Sequence, residues 1–215
     1  MLNKMKENKK QLILPGIVTL LPILAGLILW NKLPDPMPIH FNVHNEADGW
    51  AARWVAVVVL PVLVLFIHVL CVMLDKYNVN KKQKFYGIVY WICPFISLLC
   101  TTMMYTFALG YTWDLSRIML PVLGILLMVT GNYMPKILPN KTLGIKLPWT
   151  FKSESNWHAT HRFAGKVWVL CGLVMLFCML LEKNMLLWVF FPVLIVAMGA
   201  PTLYSYLYDR KHGDQ

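Results

Sequence analysis

Residues 54–74 read WVAVVVLPVLVLFIHVLCVML, twenty-one positions without an Asp, Glu, Lys or Arg. A helix rising 1.5 Å per residue needs about 20 apolar residues to cross hydrocarbon, so this segment is read as a spanning helix. Its apolar residues run continuously instead of alternating, which argues against a strand of a membrane barrel. Five further blocks share the pattern: Leu12 to Trp30, Phe85 to Leu109, Ile118 to Met134, Phe163 to Leu181 and Met185 to Tyr208. Apart from Lys166, near the start of its block, they too hold no charged side chain. A chain 58% apolar and only 14% charged carries more oil than one soluble core hides. The expected fold is therefore an all-α polytopic membrane protein of about six transmembrane helices, with residues 1–215 forming one integral membrane domain.

Backbone amides in lipid find no water, so each block is expected to stay helical through Pro22, Pro61, Pro94, Pro121, Pro192 and Pro201, with kinks there. The first block has no small-residue cleavage site before Trp30 and reads as a retained anchor. All five cysteines (Cys71, Cys93, Cys100, Cys171, Cys178) lie inside blocks, so disulfides are not expected.

The net charge of +10 is distributed by loop. Sixteen of the twenty Lys and Arg residues fall before the first block, after the second, between the fourth and fifth with its margin, and after the sixth. The alternate connections hold only Lys32, Arg53, Arg117 and Lys183. Under the positive-inside rule this bias places both chain ends in the cytoplasm and explains the charge as topology, without direct nucleic-acid binding. Trp30, Trp50, Trp54, Trp113 and Trp188 then mark the outer boundary, Trp149 and Trp157 the inner one. A Pro-Val-Leu triplet recurs at 61–63, 121–123 and 192–194, hinting at three helical hairpins.

Two connections are more than links. The extracytoplasmic one, residues 31–53, contains Leu33-Pro34-Asp35-Pro36-Met37-Pro38-Ile39-His40-Phe41-Asn42 and closes with Asp48-Gly49-Trp50. Its alternating prolines favour an extended chain, and Asn45 and Asp48-Gly49 supply turn chemistry. Its charges sum to −1, an environment that tolerates a cationic visitor. The cytoplasmic one, residues 135–162, is too long for an ordinary helix connection. Ser153 or Ser155 can cap a short helix at the membrane interface, leading into the fifth span and putting Trp157 and His161 on one face.

These stretches resemble the signatures of the SdpI-type bacterial immunity proteins. The first is the proline-rich segment just quoted. The second comprises Gly131-Asn132-Tyr133-Met134-Pro135-Lys136, Asn140, Gly144-Ile145-Lys146, Pro148-Trp149-Thr150 and Trp157-x-x-Thr160-His161-Arg162. Lys146 stands where that family usually has Arg, which replaces a two-pronged anion contact by a point charge. The resemblance implies a plasma-membrane protein of a bacterium that neutralises a secreted antimicrobial peptide, and a receptor role in which a cytosolic transcriptional repressor is captured. It also implies that Pro34, Asp35, Pro38, His40, Phe41, Asn42, Asp48, Gly49 and Trp50 face the toxin. No cofactor, resident metal or catalytic residue is implied.

Plainer readings stand beside these. His40 fits a loop-fixing hydrogen bond as well as a ligand contact, His44 reads as exposed, and Asp35 and Asp48 as turn formers. Trp50, Trp149 and Trp157 read first as interface anchors. Glu154, His158 and His161 are the residue types of a metal-dependent hydrolase, but their spacing is not the metalloprotease pattern. A transporter of a small solute or ion is the stronger rival, with His68 inside the second block, although no acidic residue lies in any block.

Overall fold

A computed structural model describes residues 2–42, 44–75, 90–112, 114–140, 143–181 and 183–212. The chain divides into two compact units, Met1–Trp113 and Asp114–Gln215. This division groups the blocks three and three, where the triplet repeat suggested pairs. In both units the signature segment lies between the first and second block of the three.

In the first unit, α1 (Leu2–Ile28) precedes a short 3-10 turn, and the strands β1 (Met37–Phe41) and β2 (Ala47–Ala51) form an antiparallel pair. A π-helical turn at Val55–Val59 leads into α2 (Leu60–Asp75), and α3 spans Ile92–Ala108. In the π turn Leu60 N–H reaches back five residues to Val55 O, and the next residue, Pro61, has no N–H to offer the carbonyl of Val57. Helix α1 packs on α2 and α3. Tyr105 Oη donates to Pro22 O at 3.1 Å, and Ser97 Oγ to Thr19 O at 2.8 Å. These bonds satisfy hydroxyls where no water competes.

The second unit holds α4 (Leu115–Tyr133), the five-residue α5 (Pro148–Lys152), α6 (Glu154–Phe177) and α7 (Lys183–His212), with α6 packed on both α4 and α7. Paired glycines bring α4 and α6 together. A Cβ on Gly124 would stand 2.6 Å from Gly172 O, and one on Gly131 would stand 2.9 Å from Gly165 O. Both glycine pairs are seven residues apart on their own helix, two turns, so the backbones touch along one seam. Pro135 closes over Gly165 at the end of that seam.

Four helical stretches are long and apolar enough to cross a membrane: Val55–Met73, Arg117–Lys136, Glu154–Leu180 and Met185–His212. Two more, Leu12–Ile28 and Ile92–Ala108, are apolar but shorter, and residues 85–89 of the third block lie outside the described residues. The protein is a predominantly helical membrane protein. The proline-rich segment departs from the all-α expectation: its extended chain is paired into a β-hairpin.

Candidate functional site

The hairpin is held from both ends. Met37 is fully buried with Leu33, Ala56, Val57, Met104 and Tyr105, and Phe41 meets Phe107 edge to face at 4.7 Å. Pro38 is buried beside it. At the base, Arg53 gathers three carbonyl or carboxylate oxygens. Its backbone N–H donates to Asp35 Oδ1 (3.1 Å), Nε–H to Pro34 O (3.2 Å) and Nη1–H to Trp30 O (2.9 Å), while its guanidinium lies 5.2 Å from the Trp30 ring centre. The planar guanidinium supplies two of these bonds and the backbone the third.

The turn is built by Asn42. Its Oδ1 accepts from His44 N–H (2.8 Å) and Glu46 N–H (3.0 Å), and its Nδ2–H donates to Glu46 Oε2 (3.0 Å). Asn45 takes the left-handed conformation, φ 65°, that an Asn turn allows. His40 Nδ1 and Asp48 Oδ1 lie 2.5 Å apart on the exposed side, so the histidine does fix the loop. Gly49 pairs with His40, whose Cβ leaves no room for a side chain there. Trp50 is 54% exposed, and His44 is exposed.

The second signature folds onto the start of α6. Ser153 Oγ accepts from Asn156 N–H at 3.2 Å, the expected cap, but the helix continues unbroken to Phe177 and is not a separate interfacial segment. Trp157 and His161 share a face, stacked at 4.2 Å, and both are fully buried. Trp157 is thus no interface anchor: its indole N–H donates to Ile137 O at 2.8 Å and pins the loop. His161 Nδ1–H donates to Trp157 O (2.7 Å) and Nε2 accepts Ile145 N–H (3.0 Å), which only the neutral ring with its proton on Nδ1 can do. With both nitrogens occupied, His161 has no lone pair for a metal, and no cluster of three candidate ligands occurs among the described residues. His158 pairs instead with Glu154 at 3.5 Å.

Gly144, at φ 113°, lets the loop pass directly against the His161 and Trp157 rings. Thr150 Oγ accepts Leu147 N–H at 2.9 Å, and Asn140 Oδ1 accepts Leu143 N–H at 2.7 Å, fixing the turns on either side. Trp149 meets Tyr206 edge to face at 5.6 Å. Pro148 starts α5, and Asn132, Lys146 and Arg162 are exposed. Lys136 places its ammonium 5.0 Å from the Tyr133 ring.

A buried triad, of which the signature held only Thr160, ties α6 to α7. Asn156 Nδ2–H donates to Ser205 O (3.0 Å), and Asn156 Oδ1 accepts from Ser205 Oγ and Thr160 Oγ1, both at 2.8 Å. All three residues are fully buried. Ser205, a polar residue inside the last apolar block, was the available signal, since such a group needs a partner there.

Comparison with known proteins covers both segments. Residues 136–205 match the SdpI/YfhL protein family, and residues 17–65 match a domain of unknown function, DUF1648. Over 96% of its length the chain is 27% identical to Immunity protein SdpI of Bacillus subtilis (strain 168), covering 98% of that protein. No solved structure matches.

Proposed function

We propose, from the premise that the chain is an SdpI-type membrane protein, that it protects a bacterium against a secreted antimicrobial peptide. What supports the reading is the end-to-end similarity to an immunity protein, which takes in both anchored signature segments. The loop charges favour six spans with both ends in the cytoplasm, which puts the hairpin outside and the segment around Trp157 and His161 inside. On this arrangement the hairpin meets the peptide, and the inner segment reports its presence by capturing a cytosolic repressor.

The proposed action is binding, and the His40–Asp48 pair serves it by holding β1 against β2. The reading is tested by expressing the chain in a peptide-sensitive strain and scoring survival against cells without it. Protection is expected. Unchanged killing, together with saturable solute flux in proteoliposomes, would replace immunity by transport.

A further inference from the structure

The outward side of the hairpin has a chemistry the clasp at its base does not use. From Met37 to Ala51 the sequence contains no Lys or Arg and two acids, Glu46 and Asp48. The guanidinium of the nearest arginine, Arg53, is turned to the carbonyls of Pro34 and Trp30. Asp48 gives one carboxylate oxygen to His40 and Glu46 gives one to Asn42, so among the described residues each keeps its second oxygen outside these bonds. Trp50 lies two residues beyond Asp48 on the same strand, about 7 Å along the chain. Both side chains point outward: Trp50 is 54% exposed and the Asp48 side chain 44%.

A π face beside carboxylates is the arrangement that receives a guanidinium or an ammonium. It is also preorganised, because Met37 and Phe41 seat β1 while β2 carries the exposed groups. We propose that the Glu46–Asp48–Trp50 face of the hairpin docks a basic segment of a peptide, with an Arg or Lys side chain lying over Trp50 and paired with Asp48 or Glu46. This deepens the immunity reading and rests on it for the claim that the natural occupant is the antimicrobial peptide. The occupant's chemistry follows from charge complementarity alone.

The test uses the full chain in nanodiscs of uncharged phosphatidylcholine, so that lipid does not compete for the cation. The probe is a dye-labelled pentapeptide of alternating arginine and valine, followed by fluorescence anisotropy, with its glutamate–valine counterpart as control. Saturable binding of the arginine peptide alone is expected, weakened at least fivefold in Trp50→Leu and in Glu46→Gln. Hydrogen exchange at the Asn42 amide, which donates to Glu46 O at 2.9 Å, reports whether each variant keeps its hairpin. Equal binding by folded Trp50→Leu, or by nanodiscs without protein, overturns the proposal. Binding through Trp50 by a chain that gives no survival in the sensitive strain supports this face as a cation site and overturns the immunity reading alone.

Discussion

The indole N–H of Trp168 donates to the carbonyl oxygen of Ala197 at 2.8 Å, and that carbonyl is the one Pro201 leaves without its helical donor. In a helix the N–H of residue 201 would bond Ala197 O; proline has none. In lipid an unmet carbonyl costs more than in water, so the bond compensates a break in α7 and fixes its register on α6 at once. Trp168→Phe is expected to destabilise the protein by about 1–3 kcal/mol, the cost of an unmet buried group. In a Pro201→Ala background the same change should cost less, because Ala at 201 restores the donor. Chemical denaturation of the four proteins in micelles measures this coupling, and additive effects would refute it.

The glycine seam between α4 and α6 makes a sharper demand. Gly172→Val drives a side chain into Gly124 O and Met128, so overpacking of at least about 1–3 kcal/mol is expected. Gly199 has nothing within 4 Å of its would-be Cβ, and Gly199→Ala, in the interior of α7, should stabilise by about 0.4–1 kcal/mol. Thermal unfolding of the two variants side by side checks the contrast.

His161→Phe keeps a ring against Trp157 but removes both an acceptor and a donor. The amide of Ile145 should then exchange hydrogen about tenfold faster or more, the equivalent of about 1.4 kcal/mol or more of lost local stability. Mass spectrometry of the peptide covering residues 143–147 reads this directly. Exchange at the parent's rate would mean that the loop is held by other contacts.

How the chain threads the bilayer is checked by single cysteines in a background without the native five. His44→Cys, on the hairpin turn, should react with an impermeant reagent in intact cells, and Lys152→Cys should react only after lysis. Both positions are exposed, so a reversed pattern speaks to orientation and not to burial.

Much of this was legible in the residues, because the rules involved are local. Twenty-residue apolar runs announce helices, Ser153 announces a cap, and the four-residue spacing of Trp157 and His161 announces a shared face. What escaped depends on partners distant in sequence. Trp157 has the amphipathic ring of an interface anchor, and only its bond to Ile137, twenty residues away, shows it to be a pin. Prolines at 34, 36 and 38 spoke for an extended chain, but not for pairing with β2, because Pro38 can give no N–H to a ladder. The glycine pairs carried a readable mark, since Gly124 and Gly131 repeat the spacing of Gly165 and Gly172. Which helix faces which could not be read from spacing alone.

The proposed role of the hairpin is to meet the peptide. Survival of peptide-challenged cells carrying His40→Ala or Trp50→Ala, at membrane levels equal to the parent, tests this most directly. The parent is expected to protect, and both variants are expected to lose most of that protection. Full protection by both would contradict that role.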